Sequence, residues 1–485
     1  MKRFHFSIFL LAGVFMVGCQ DQFAIQESVL PDGLGTKGEE ITVQTNERYV
    51  FPAEKDYKAW VDIVTLEDRL SACEVPENLL HSMTTDALVR TVLNYPLNFI
   101  YSAYNDPTVA VDIIVKNSPL HQELFNRGDA AETLLRYFDQ SCISKGRVES
   151  MINPGETSLT YGNEMFFDYL LASRLDSGLF SERDKESLRA IARRKLAERQ
   201  ADAETFSEVS LAPLRMIAND SSEGAQTRTY TFWYWYTPFG YKFNVEERTE
   251  MTRTEIWYST WYYTNNYITD AGMHAMASNC YNGNGYAWMI NDPTAGSPNS
   301  ATTSNSWLED GGDTGNTISN LWTDAFYDTA TSSTAEKIYY NGSDHTAIPY
   351  SGTRYISKWG SGPLMEHEPT YCPYLSSNME YYRVRTTSLL RYDLISGPGM
   401  VVANVTNNYN VQPNILSWRG ITSTEWTGRG LSPGTPSSFS FSGAPNSSSC
   451  TLICYEPGTY SIKIEGKYNG NVIVECTSSI MCWTY

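Results

Sequence analysis

The feature that most constrains this chain is a change of texture near Tyr230. From Lys55 to about Gln200, apolar residues recur at helical spacing, as in Leu88, Val89, Val92 and Leu93 and again in Leu188, Ile191 and Ala192. After Tyr230 the chain becomes aromatic and β-prone, first in Thr231–Tyr236 (T-F-W-Y-W-Y) and then in Ile256–Tyr263 (I-W-Y-S-T-W-Y-Y). A repeat near 3.6 and a repeat of 2 place side chains on different faces, so they demand different layers. At 485 residues the chain also exceeds one ordinary core, which implies two to four domains.

The helical part carries its own stop and start signals. Thr65-Leu-Glu-Asp68 and Ser181-Glu-Arg-Asp184 look like capping boxes with Asp in place of Glu. Pro76, Pro96, Pro107 and Pro119 divide the stretch into short helices, which suggests stacked helical hairpins without an exact repeat. A packed helical domain over 55–200 without catalysis follows, and the polar stretch 201–229 reads as its exit linker.

The N-terminal residues read as an address. Lys2 and Arg3 precede a short apolar run, Ile8–Val17, too short to span a bilayer as a mature helix. The run ends in Met16-Val-Gly-Cys19, which resembles the lipobox of bacterial lipoproteins. That resemblance implies a signal peptide over 1–19, lipid on Cys19, and residence in the cell envelope, anchored to the outer membrane on its periplasmic or surface face. A plain signal peptide with a chance cysteine is the other reading. Residues 20–54 are polar and read as a tether.

Composition removes one class of partner. The formal net charge of −19 argues against nucleic acid, which needs a basic footprint. The 33 Tyr and 12 Trp suit strands and wet binding surfaces. Thr231–Tyr236 and Ile256–Tyr263 therefore read as strands or a core-side aromatic layer, with a sugar-stacking surface as the alternative.

Chemistry-bearing residues gather between His274 and Tyr374. Cys280 lies in H-A-M-A-S-N-C-Y-N-G-N-G-Y-A-W (His274–Trp288), beside glycines and aromatics. His345 follows in Asp344-His-Thr-Ala-Ile348, opening a short apolar run. A thiol needs a base to become thiolate, and the base can be distant in sequence. The polar loop Pro293–Asn320 lies between the two, as the border of a substrate groove or as a passive insertion. A Cys280–Cys372 disulfide is the competing use of the thiol. Glu366, His367, Glu368 and Cys372 have no standard metal spacing, and no dinucleotide, Walker or zinc-hydrolase fingerprint occurs, so neither metal nor cofactor is expected.

Cys280 with its glycine-aromatic sequel, the Asp344–Ile348 run and Tyr355-Ile-Ser-Lys-Trp359-Gly360 together resemble papain-like cysteine peptidases and amidases, including the CHAP group, over roughly Tyr230–Arg391. With the helical N-terminal region and the K-W-G-x-x-P-L and Y-C-P-Y runs, the arrangement resembles Gram-negative envelope lipoproteins. The resemblance implies that Cys280 attacks a carbonyl, His345 moves the proton, Ser357 stands at the place of the orienting residue, and Asn279 or the Cys280 N–H holds the oxyanion. Asp344 would orient His345 poorly, since neighbours on a strand point to opposite faces. Two glycines also make Tyr281–Gly285 a poor helix start, where papain-like nucleophiles normally begin one.

After Arg391 short strands dominate: Ile395–Val402, Leu416–Trp418 and Tyr460–Ile464, with Asn471–Cys476 pairing with Tyr460–Glu465 across Asn469-Gly470. This fits an immunoglobulin-like sandwich with Trp418 buried, and Cys450, Cys454, Cys476 and Cys482 can form disulfides of unreadable connectivity. The expected fold is multidomain α+β: a helical N-terminal domain, a papain-like α+β domain over 230–393, and an all-β immunoglobulin-like sandwich over 394–485. The expected function is thiol-dependent cleavage of peptide or peptidoglycan amide bonds. The alternative is a non-catalytic adhesin or ligand-binding lipoprotein that meets peptide, peptidoglycan or surface glycan.

Overall fold

A computed structural model describes residues 45–141, 158–218, 231–236, 242–290, 303, 305–308, 319, 322, 327–384, 389–391, 395–411, 422–431, 439–447, 449–468 and 470–483. The architecture is mixed helix and multi-sheet β. Cys19, the tether to Gln44, most of Pro293–Asn320 and Trp418 lie outside the described residues.

The helical half obeys its sequence signals. Thr65 caps Leu66–Ala72 by accepting from the Asp68 N–H, and Ser181 with Asp184 closes a two-way capping box on Glu182–Gln200. Pro107 and Pro119 stand in the first turns of their helices, where a missing N–H costs nothing. One further helix, Glu208–Ala218, occupies part of the stretch read as a linker, with Pro213 inside it.

The run Ile256–Tyr263, read as a strand or a core-side aromatic layer, is not a strand but the centre of a helix, Arg253–Asn266. Thr252 accepts from the Glu255 N–H while Glu255 accepts from the Thr252 N–H, a capping box that the aromatic composition hides. Tyr258, Tyr262 and Tyr263 point into the core, and Trp257 and Trp261 stack on the outer side at 6.3 Å. Thr231–Tyr236 is a strand as expected, paired antiparallel with Lys242–Glu247 and then Trp307–Leu308.

A seven-stranded antiparallel sheet follows. Its spatial order is Ala271–Ala275, Leu364–His367, Arg354–Lys358, His345–Ser351, Lys337–Tyr340, Met379–Val384 and Tyr327–Thr329. This sheet does not close its own core. The Lys358-Trp359-Gly360 turn lands on the helical half, where the Ser361 N–H donates to the Ser102 carbonyl at 2.8 Å, while the Trp359 ring packs on Tyr263 and Tyr267 at 5.4 and 5.0 Å. Gly360 has φ +51°, and a Cβ there would fall 2.5 Å from the Ser102 carbonyl oxygen, so the turn requires glycine twice over. Tyr374 donates to the Ala103 carbonyl at 2.8 Å, and the Arg69 guanidinium lies 4.2 Å over Tyr267. One apolar cluster accordingly runs from Phe51 to Tyr374, across the boundary expected near residue 230.

At the C-terminal end two sheets face a common interior. One is ordered Leu389–Arg391, Asn471–Trp483, Gly458–Tyr468, Ser423–Gly430, with Met400–Val402 also paired to Asn471–Trp483. The other is ordered Ile395–Ser396, Thr406–Val411, Ser449–Cys454, Phe439–Gly443. The expected hairpin is present in a shifted register: Tyr468 pairs with Asn471 and Ile464 with Cys476, while Tyr460 pairs with Ile480, and Gly470 has φ +84°. Trp426 and Tyr460 are buried in this interior.

Candidate functional site

The edge strand Ala271–Ala275 runs into a loop that carries Ser278, Asn279 and Cys280 before a short helix begins at Gly283. Asn282 caps that helix by accepting from the Gly285 N–H at 2.7 Å. Glycine at 285 is obligatory, since a Cβ would fall 1.7 Å from the Ser306 carbonyl oxygen. Cys280 therefore sits ahead of the helix, before its cap.

The partners of Cys280 come from another direction. Its thiol lies 3.3 Å from the Arg248 carbonyl oxygen and 3.6 Å from a Glu250 carboxylate oxygen. The same carboxylate accepts from the Ser278 hydroxyl at 2.8 Å and the Asn279 N–H at 3.0 Å, so Glu250 holds the whole loop. Burial, and then the Glu250 charge, push the thiol up to about 11. Lys358 offsets only part of this. Its ammonium donates to the Ser278 and Gly360 carbonyls at 2.7 and 2.6 Å, and burial lowers it to about 7.

His345 opens its strand as expected, but its ring is packed as a core group. It is 1% exposed and stacks on Tyr374 with centroids 3.9 Å apart. Its other side lies against Gly283, where a Cβ would come within 2.4 Å of Cε1. The ring thus fills the space that a side chain on the first helical turn would need. Burial, then His367 and Lys358, hold the imidazole well below its usual range, and Nε2 has no hydrogen-bond partner. Among the described residues no hydrogen bond joins Cys280 to His345.

The remaining expected residues also have other employment. The Ser357 hydroxyl meets His367 Nε2 at 2.9 Å, not His345. The Asn279 amide donates to the Thr249 carbonyl, and the Cys280 N–H donates to the Ser278 hydroxyl at 3.2 Å. Asp344 lies in a turn with φ 47°, and its carboxylate accepts from Asn105 and Asn284. Cys280 and Cys372 are both free thiols, with Cys372 beside the Pro369 carbonyl. Glu366 pairs with His274 and Arg354, and His367 bonds Ser357 and the Glu368 carbonyl.

Sequence reasoning missed Glu250, Lys358, Gly283 and Arg248. Lys358 stood inside the K-W-G run that was singled out. Glu250 lies in Glu246-Glu-Arg-Thr-Glu250, which has no motif at all. A cleft opens beside this cluster, walled by Tyr104, Asn105 and Val209 on the helical side and by Arg248, Asn279 and Trp307 on the other. The Arg248 guanidinium lies 3.6 Å over the Trp307 ring and pairs with Glu246. No described group of His, Cys, Asp and Glu could hold a metal ion, and no described helix is long and apolar enough to cross a membrane.

These elements define a chain of mixed helices and several β-sheets, with one polar cluster buried beneath a cleft. No family model matches the chain, and no curated protein matches it. A solved structure, SGBP-B of the Bacteroides ovatus mixed-linkage glucan utilization locus in complex with a mixed-linkage heptasaccharide, is similar at 18% identity and a TM-score of 0.13. The likeness covers 33% of this chain and 40% of that one.

Proposed function

We propose that this chain is a lipid-anchored envelope protein that binds a polar ligand, a surface glycan, without cleaving it. The observation that carries the reading is the setting of Cys280. A nucleophilic thiol is activated by a base or cation that lowers its pKa. This thiol faces a carboxylate and a carbonyl instead, and both disfavour the thiolate. His345, the expected base, is buried, stacked and held neutral against Gly283. Beside the thiol a small recess is lined by Asn105, Asn279, Arg248 and Trp307, and its amide and guanidinium edges are the polar groups that a ligand hydroxyl would meet. The papain-like and immunoglobulin-like assignments belong to this proposal as scaffold readings, as does lipid on Cys19.

Iodoacetamide labelling of Cys280 between pH 6 and 10 tests the central point. The expected rate rises only above the roughly 8.5 of a free thiol, and His345→Ala leaves the profile unchanged. Rapid labelling at pH 6 that His345→Ala removes would establish a cysteine peptidase or amidase instead. For ligand binding, neutral oligosaccharides are titrated by calorimetry against the wild type and Val209→Trp, which fills the cleft from its helical wall. Loss of binding in the variant supports the reading, and binding of peptides alone would transfer it to peptide. Cys19→Ala should move the protein out of the membrane fraction, and retention there would remove the anchor.

A further inference from the structure

We infer that Cys454 and Cys482 form a disulfide that fastens the two C-terminal sheets to each other at one end. Four cysteines lie in this part of the chain, all buried: Cys450 and Cys454 on strand Ser449–Cys454, and Cys476 and Cys482 on strand Asn471–Trp483. The two strands belong to different sheets. Pairs within one strand are excluded by reach. Cys450 and Cys454 are about 13 Å apart along an extended strand, and Cys476 and Cys482 about 20 Å, against the ~7 Å limit for bridged Cα atoms.

Chain connection then decides between the two cross-sheet patterns. Residues 455–457 alone link Cys454 to Gly458, and Gly458 is the register partner of Cys482. Cys454 and Cys482 therefore occupy the same end of the two sheets. Cys450 lies farther along, where a Cβ on Gly443 would touch both its Cβ and that of Trp426. Trp426 pairs with Ile464, and Ile464 pairs with Cys476, so these two cysteines belong to the other end. A turn secures the first end: the Ala403 N–H donates to the Trp483 carbonyl at 2.9 Å and the Asn404 N–H to the Cys454 carbonyl at 2.7 Å. Adjacent residues of one turn thus hold both strand ends, and both cysteines are thiols in this structure, with the Cys482 thiol 3.9 Å from the Trp483 carbonyl oxygen.

The chemistry is thiol–disulfide exchange with a disulfide oxidant, either a protein dithiol oxidase or oxidised glutathione. One cysteine, as thiolate, attacks the oxidant's disulfide and expels one thiol. The second attacks the mixed disulfide and expels the other. Two protons and two electrons pass to the oxidant, which leaves as two thiols. Burial pushes both thiols up, Cys454 to about 12.

The full chain is equilibrated with oxidised and reduced glutathione, blocked with a maleimide, digested and mapped by mass spectrometry. A cross-linked peptide joining Cys454 to Cys482, with both protected from label, is the expected result. Thermal unfolding should then fall by several degrees on adding reductant, and Cys454→Ser and Cys482→Ser should each abolish that shift. Labelling of both thiols after oxidation, or a cross-link of either to Cys450 or Cys476, overturns the inference. The wild-type map decides even where a serine variant does not fold.

Discussion

His345 is held between Tyr374 and Gly283, and it is one of three imidazoles that burial keeps neutral. Burial takes His121 down to about 3 and His367 to about 4, and holds His345 well below its ordinary value. In the unfolded chain each titrates near 6.5. Above that pH neither state is protonated, and their contribution to stability is complete. As pH falls from about 6.5 towards 4, the unfolded chain takes up protons that the folded chain refuses. Stability is lost at up to about 1.4 kcal/mol per pH unit for each histidine. His367→Gln should flatten this slope by about one proton between pH 6.5 and 4.5, measured by urea unfolding at each pH. An unchanged slope would mean that His367 is charged in the folded protein. The sequence presented Cys280 and His345 as reactive residue types but was silent on their neighbours. Glu250 lies 30 residues before Cys280 in an ordinary acidic run, and only the folded loop brings the two together.

The helix Arg253–Asn266 holds the lesson at the level of elements. Its aromatic residues favour strands when taken one by one, and apolar side chains surround it on all sides, so no stripe marks it as helical. What fixes it is its first turn, where Thr252 and Glu255 bond reciprocally. Glu255 also accepts from the Tyr161 hydroxyl at 3.2 Å, the Ser207 N–H at 3.1 Å and the Ser210 hydroxyl, tying the helix to two others. Thr252→Ala removes one cap and should cost about 1 kcal/mol. Glu255→Ala strands several buried donors at once and should cost roughly 3 kcal/mol or more. Urea unfolding of both variants separates the two, and equal losses would show that the cap alone sets this helix. Helices with polar caps and proline starts were legible, as at Thr65, Ser181 and Pro107, because a local hydrogen bond or a missing N–H defines them. The Asn469-Gly470 hairpin was legible for the same reason, since its turn geometry is local. The aromatic helix was not, because burial by distant elements overrides the β preference of its residues.

At the scale of the molecule, the helical half and the seven-stranded sheet share their interior. Sequence texture divides them near Tyr230, yet Tyr374 from the sheet side donates to the Ala103 carbonyl, and Phe99 packs on Tyr258, Tyr262 and Tyr263 of the helix on which Trp359 rests. Each fully buried large side chain of this kind contributes about 1.5–3 kcal/mol relative to solvent. A fragment beginning at 230 would lose the Phe99 ring that packs on Tyr258, Tyr262 and Tyr263 and would leave the Gly360 turn without its backbone partners at Ser102 and Ala103. The net stability of a domain is only about 5–15 kcal/mol, so exposing several such aromatics removes all of it. A fragment covering 45–391 should therefore unfold in one cooperative transition, with tryptophan fluorescence and far-UV circular dichroism changing together. A fragment covering 230–391 should be soluble only with denaturant and should bind a hydrophobic dye. If the shorter fragment folds with native near-UV dichroism, the shared interior is an accessory contact and the texture boundary is the true domain boundary. If it does not, the helical half is the other wall of the core on which the Cys280 loop and the cleft are built.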